Sequence, residues 1–258
     1  MAEPDHGLLR HSRHALLTGF DDEGVEAVRA ARALVIGAGG LGCPAATYLV
    51  ASGIGVLHWL DGDDVDGTNL GRQVLFGPDD IGQPKTIAGA RALARINPDT
   101  QIIAETVYAD GDMLERVIPL ADVVLDCTDR WETRQAINAA CVRFGIPLVS
   151  AAAIEWSGQL LAIDPHRHEH ACYGCVFDPA HAPPAAACGA YGVLSPMVGA
   201  MGCLQAAEAI KLVLARQRAS PQEQPQLLSL LDMRSGRWQQ LKVARNPTCS
   251  VCAGVRTE

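Results

Sequence analysis

Residues 33–42 read ALVIGAGGLG, an apolar, β-branched run that ends in a cluster of glycines. The segment after it, CPAATYLVASG, has helical composition, and Pro44 falls early enough to sit in a first helical turn, where the missing N–H costs nothing. Strand, glycine turn and helix follow in that order. Gly37, Gly39 and Gly42 fit G-x-G-x-x-G in this context, and the absent side chains let backbone amides and a helix N-terminus come close to a phosphate. The plainer alternative is that the glycines only let the helix pack tightly on the strand.

Downstream, GVLHWLDGD reads as a second buried strand ending in acids, and Asp61 and Asp63 lie near the distance at which a carboxylate holds ribose hydroxyls. PKTIAGARALARIN predicts a helix beginning at its proline. QIIAETV (strand), DMLERVI (helix), ADVVLDCTD (strand), WETRQAINAACVRFG (helix) and PLVSAAAI (strand) continue the alternation, which predicts a parallel, doubly wound sheet. From about residue 151 the pattern changes. GQLLAID reads as a strand, residues 164–192 as a long loop, PMVGAMGCLQAAEAIKLVLARQ as a helix, RASPQEQPQ as a polar connector, and LLSLLDM with GRWQQLKV as two strands around RSG. The expected fold is α/β: a Rossmann-like, mostly parallel sheet with C-terminal antiparallel strands. One domain over residues 1–258 is expected, with a nucleotide-binding half (1–150) and a second half (151–258).

The chain has 258 residues, 21 Lys plus Arg against 29 Asp plus Glu, and a net charge of −8, which disfavours nucleic acid as a partner. No apolar run is read as reaching the length of a membrane span, and MAEPDHGLLRHSRH lacks the basic start and apolar core of a signal peptide, so a cytoplasmic protein with no membrane partner is expected. Nine cysteines without a secretion signal point to a reducing compartment, where thiols bind metal, react or sit buried.

Several side chains are candidates for chemistry. Arg72 and Lys85 lie in and at the end of DGTNLGRQVLFGPDDIGQPK, where cations could offset the charge of a leaving pyrophosphate; each alone also suits a solvated surface. Asp129, in DCTDRWET, closes an apolar strand at the edge where open parallel sheets bind ligands. It could hold magnesium beside phosphates, or cap the helix that starts near Trp131, with Glu132 three positions on. The pairs Cys172/Cys175 and Cys249/Cys252 supply four thiolates, the ligand number of a closed, structural zinc site that tethers rather than catalyses. Redox-active pairs or unrelated thiols are the alternatives. His166, His168 and His170 could compete as ligands or belong to a solvated loop. Cys188, among the small residues of AAACGAYGVLSP, could attack an activated carbonyl or receive sulfur, or be a bystander; Cys43, Cys127, Cys141 and Cys203 read as core.

The marks RHSRH, VIGAGGLGCPAATYLVASGIG, LDGDDVDGTNLGRQ, GQPK, DCTDR, LVSAAAIEWSGQL, the two cysteine pairs and NPTCSVC occur in that order. Together they resemble the ThiF/MoeB/HesA family, bacterial relatives of ubiquitin-activating enzymes, over nearly the whole chain. The resemblance implies an enzyme that binds MgATP and adenylates the C-terminal glycine carboxylate of a ubiquitin-like sulfur carrier ending in Gly-Gly. Sulfur then replaces the adenylate, giving a thiocarboxylate for thiamine or molybdopterin synthesis. It further implies that Gly40 and the loop of Gly37, Gly39 and Gly42 approach the nucleotide, that Asp61 holds the ribose, and that Thr68, Asn69, Arg72 and Lys85 line the phosphate site. Asp129 would bind magnesium, and Arg13 would reach across a homodimer into the partner's ATP site. The four paired cysteines would hold structural zinc in a half, residues 151–258, that also binds the carrier.

Cys188 falls where the family often has a loop cysteine, but the acidic residue that some members carry two places on is missing. No rhodanese domain follows, so a separate sulfur donor, a cysteine desulfurase or a rhodanese, is expected. The ATP-binding marks are shared by branches that serve different carriers. Three other readings stay open. One is an NAD-dependent oxidoreductase resting on the glycine motif and Asp61, although no His, Lys or Tyr stands out for hydride transfer. The second is adenylation of a substrate other than a carrier, and the third a non-catalytic, zinc-tethered scaffold.

Overall fold

Alternate residues of RALVI turn to opposite faces of a sheet, and in the folded chain neither face meets water: Ala33 and Val35 enter one apolar core, Leu34 and Ile36 another. The computed structural model describes residues 9–167, 169–182, 191–217 and 225–255; His168 and Cys188 lie outside them. The strand just described, β1 (Arg32–Ile36), sits in a sheet with β2 (Val56–Leu60), β3 (Gln101–Glu105), β4 (Val123–Asp126), β5 (Leu148–Ile154), β6 (Ser157–Ile163), β7 (Leu227–Asp232) and β8 (Arg237–Lys242). Among the described residues the sheet has eight strands in the order β3-β2-β1-β4-β5-β6-β7-β8. Pairings from β3 to β5 are parallel, and those from β5 to β8 antiparallel. The expected α/β class is therefore the observed one, and the antiparallel strands extend the parallel sheet rather than forming a layer of their own.

The first core takes side chains from α2 (Asp21–Ala30), α3 (Gly42–Ala51) and α8 (Ser195–Gln217), for instance Val28, Leu49 and Met201. The second takes Leu114 from α5 (Gly111–Val117) and Ile137 from α6 (Trp131–Phe144). Chain order reverses at β1, because β2 lies on one side of it and β4 on the other. Open parallel sheets bind ligands at such a point, beyond the carboxyl ends of the strands. The register pairs Ile36 with both Leu60 and Asp126, so β1, β2 and β4 end level with one another.

The segment before β1 holds two helices, α1 (Ser12–Ala15) and α2, and α2 is amphipathic, burying Val25 and Val28. Two local expectations are corrected. The loop over 164–192 contains a helical turn, α7 (Tyr173–Val176), which closes the spacing between Cys172 and Cys175. Finally, α8 is long and apolar enough to cross a membrane, contrary to the reading that no run reaches that length. Its apolarity has a packing cause: Met197, Val198, Met201, Ala206, Ala209 and Val213 are buried in the first core, and the fully buried Gln205 donates to the carbonyls of Asp126 and Val149.

Candidate nucleotide site and cysteine cluster

The turn after β1 is built around its glycines. Gly37 has φ +104°, its N–H donates to Leu60 O at 2.8 Å, and its carbonyl accepts from Trp59 Nε1 at 3.1 Å. A Cβ at Gly42 would lie 1.9 Å from that same carbonyl oxygen, and a Cβ at Gly40 would meet Val198 at 2.9 Å. These positions need glycine for packing. Gly39 does not: the nearest atom to a Cβ there is Gln73 Nε2 at 3.9 Å, so the fold leaves room over Gly39 that no side chain among the described residues fills.

Asp61 follows β2 and braces the turn, accepting from Ala38 N at 2.6 Å and from Asp63 N at 2.8 Å. Burial pushes its carboxyl above the usual range, against the two amides that favour its charged form. Each oxygen keeps a free lone pair, which suits acceptance from a hydroxyl pair. Lys85 opens α4 (Lys85–Ile96) and is buried, with Nζ 2.8 Å from Asp63 Oδ2. That ammonium holds Asp63 below the usual carboxylate range, and the hydroxyl of Tyr108 donates to the same carboxylate at 2.8 Å. The Lys85–Asp63–Tyr108 group escaped the sequence reading because Tyr108 comes from beyond β3, a neighbour only in the folded chain.

Between Asp63 and Lys85 the chain makes a capped 3-10 turn, Gly67–Asn69. Asp66 accepts from the N–H and hydroxyl of Thr68 at 2.8 and 2.6 Å, and Asn69 Oδ1 accepts from Asp66 N. Arg72 follows, its guanidinium donating to Thr68 O at 3.0 Å. Thr68 is exposed, Asn69 buried and Arg72 half-buried.

Asp129 lies three positions beyond β4. The backbone of Cys127 lies against Gly37, so this loop borders the glycine turn. Beneath it is a buried network that the sequence did not reveal: Asp126 accepts from Thr128 N, Thr128 Oγ1 and Ser150 Oγ, with Arg134 Nη1 at 3.9 Å and Arg134 Nη2 donating to Thr128 O. Asp129 is exposed and hydrogen-bonds to none of the described residues. The cap position of α6 is Arg130, with no side-chain cap, so Asp129 is free of the structural role weighed against it. The glycine turn, Asp61 and Asp129 thus follow the ends of β1, β2 and β4 at one rim of the sheet, and Lys85 is tied to that rim through Asp63. Arg13, on α1, is exposed and forms no ion pair among the described residues.

At the far end of the molecule, Cys172, Cys175, Cys249 and Cys252 bring their sulfurs within 4.8 Å of one another. Adjacent Sγ pairs lie 3.8, 3.7 and 3.4 Å apart. Four sulfurs about 2.3 Å from a central zinc ion would be about 3.8 Å apart, so the cluster has the dimensions of that site. N–H groups of Asn246 and Asn138 donate to Cys175 and Cys172 at 3.4 and 3.7 Å, which favours thiolates. A hydrogen bond from Cys172 draws the Cys175 thiol down to about 5, and the same bond pushes Cys172 up. His166 and His170 stay outside the cluster. Cys43, Cys127 and Cys141 are core thiols, Cys43 pushed up to about 12 by burial; Cys203 is only half-buried.

The sequence model of the ThiF family matches residues 11–251. The chain belongs to the ThiF family. Among curated relatives, the sulfur carrier protein ThiS adenylyltransferase of Escherichia coli K12 is 41% identical over 250 residues, 97% of each chain. The molybdopterin-synthase adenylyltransferase of Salmonella typhimurium LT2 is 40% identical, covering 98% of this chain and 99% of that one. Among solved structures, E. coli MccB with ATP superposes with a TM-score of 0.77 at 25% identity, over 94% of this chain and 74% of that one.

Proposed function

We propose that this chain is an ATP-dependent adenylyltransferase that activates the C-terminal glycine carboxylate of a ubiquitin-like sulfur carrier, for thiamine or molybdopterin biosynthesis. The observation that carries the reading is near-full-length similarity, at 41 and 40% identity, to two enzymes named for adenylyl transfer in those pathways. The relatives named are adenylyltransferases, which leaves the oxidoreductase reading without support. The rim geometry agrees with the reading: an open space above Gly39, a carboxylate with spare lone pairs at Asp61, and cations at Arg72 and Lys85.

In this reaction the carrier's carboxylate oxygen attacks the α-phosphorus. The bond to the oxygen bridging the α- and β-phosphates breaks, and pyrophosphate leaves. Near neutral pH the carboxylate is already ionised, so no residue has to remove a proton. The difficulty is bringing one anion onto another. The protein's part is therefore to hold the groups in line and to neutralise charge. Asp61 accepts from the ribose, the amides of the glycine turn meet the phosphates, and Arg72 and Lys85 face the departing pyrophosphate. Lys85 keeps its place through Asp63 and has N–H donors to spare. Thr68 and Asn69 shape the same wall. Asp129, with no hydrogen-bond partner among the described residues, would hold magnesium, which would supply further positive charge at the phosphates. The persulfide of a sulfur donor afterwards displaces AMP to give an acyl disulfide, and a second thiol cleaves its S–S bond to release the thiocarboxylate, leaving the donor in a disulfide with that thiol. Arg13, with the exposed Leu9, Leu16, Leu17 and Tyr48, fits a homodimer in which α1 meets the partner's site. The site of action is taken as the cytoplasm.

The decisive experiment is exchange of labelled pyrophosphate into ATP in the presence of candidate carriers with Gly-Gly ends; no exchange with any of them defeats the proposal. Cys188→Ala should retain that exchange and at most lose thiocarboxylate formation, as read by the mass of the carrier.

The four thiolates are proposed to hold one zinc ion that ties the C-terminal tail to the loop after β6. Structural zinc contributes on the order of 10 kcal/mol in small modules. A strong chelator should therefore lower Tm by more than about 5 °C, given that about 1 kcal/mol shifts a domain of this size by 2–4 °C. Calorimetry with metal analysis checks this, and an unchanged Tm after complete zinc removal contradicts it.

A further inference from the structure

Gln73 is 3% exposed, yet its Oε1 is buried with no hydrogen-bond partner, and its Nε2 is the atom nearest the open space over Gly39. No side chain or backbone group among the described residues bonds to this amide. Its main chain is fully employed: Gln73 N donates to Asn69 O at 2.9 Å and its carbonyl accepts from Phe76 N at 3.1 Å, which fixes the residue on the wall formed by Thr68, Asn69 and Arg72. The buried Oε1 left unsatisfied costs about 1–3 kcal/mol, a cost that an apolar side chain of the same shape would avoid, while Nε2 is the end that reaches the open space. The other buried orphans, His14 Nδ1, His58 Nδ1, Gln135 Oε1 and His170 Nε2, have no such space beside them in the glycine turn.

We infer that Gln73 is a nucleotide-contacting residue: its amide N–H donates to the phosphate chain of ATP where that chain crosses Gly39. The inference rests on the proposed function. The contact is chemically distinct from those of Arg72 and Lys85, because an amide donates without charge and a planar donor fixes direction rather than overall attraction. Phosphate oxygens only accept, so the nitrogen, the end of the amide nearer Gly39, is the end that serves. Gln73 positions the phosphates laterally while the cations neutralise them. The residue went unremarked in the sequence because Gln beside Arg in a loop reads as solvated surface; its burial under the glycine turn is a property of the fold.

The test compares full-length wild type with Gln73→Met, close in shape and without the amide, and Gln73→Glu, close in shape and anionic. Measured are ATP affinity by calorimetry, Tm without nucleotide, and KM for ATP against kcat in pyrophosphate exchange. Gln73→Met should keep or raise the nucleotide-free Tm while weakening ATP about ten-fold, the equivalent of one neutral hydrogen bond. Gln73→Glu should weaken ATP further, and the deficit should narrow as pH falls and the carboxylate is protonated. Wild-type affinity in Gln73→Met overturns the inference, as does a nucleotide-free Tm that falls in both variants with ATP affinity lost only in proportion. If wild type itself binds no ATP, it is the proposed function that fails.

Discussion

Asp129→Ala should abolish carrier-dependent pyrophosphate exchange, by about a hundred- to a thousand-fold or more, while leaving Tm within about 1 °C of wild type. The expectation combines two facts. Asp129 is exposed and makes no hydrogen bond among the described residues, so nothing in the fold depends on its carboxylate, and surface changes of this kind shift stability by only about 0.5 kcal/mol. It also stands on a loop bordering the glycine turn, where a metal ligand would serve the phosphates. Removing a group that stabilises developing charge in a transition state typically costs that range in rate. Arg72→Ala should behave alike, since the one side-chain hydrogen bond it makes among the described residues, to Thr68 O, stays within its own turn. Exchange assays run beside thermal melts check both; retention of more than about a tenth of the activity in either variant would remove that residue from the site.

The second large effect separates two uses of glycine in one turn. Gly42→Ala places a methyl 1.9 Å from Gly37 O, an oxygen on a backbone already fixed by Leu60 O and Trp59 Nε1. Neither can yield without breaking the join of β1 to α3, so about 3 kcal/mol or more of stability should be lost, with Tm falling by about 6 °C or more. Gly39→Ala meets nothing closer than 3.9 Å and should fold with wild-type Tm, yet its methyl occupies the space assigned to phosphate, so ATP affinity should fall. If Gly39→Ala binds ATP as tightly as wild type, the phosphates do not pass there.

Much of the fold was legible because its periodicities are local. Strands such as ALVIG and DVVLD are short, apolar and buried on both faces, and the helices between them begin or end at proline, glycine or acid. What could not be read depends on neighbours distant in sequence. The helix α8 is long and apolar enough to cross a membrane, and only the sheet and helices that bury it show that its apolarity has a packing cause. The same division holds at the site. The glycine motif, Asp61 after its strand and the cysteine pairs stand out by spacing, whereas Lys85 alone also suits a solvated surface. Tyr108 on Asp63, the Asp126–Arg134–Ser150 network under Asp129, and Gln73 beside Gly39 exist only once the strand ends come level. The four cysteines are an intermediate case, since two C-x-x-C pairs suggest a metal, but only the fold brings all four sulfurs within 4.8 Å.

A crystal structure of the protein with magnesium and a non-hydrolysable ATP analogue tests the central claim most directly. The account predicts the ribose on Asp61, the phosphate chain over Gly39, Arg72 and Lys85 on its oxygens, and the metal on Asp129. A nucleotide bound away from the ends of β1, β2 and β4, or phosphates that leave Arg72, Lys85 and Asp129 in solvent, would contradict it.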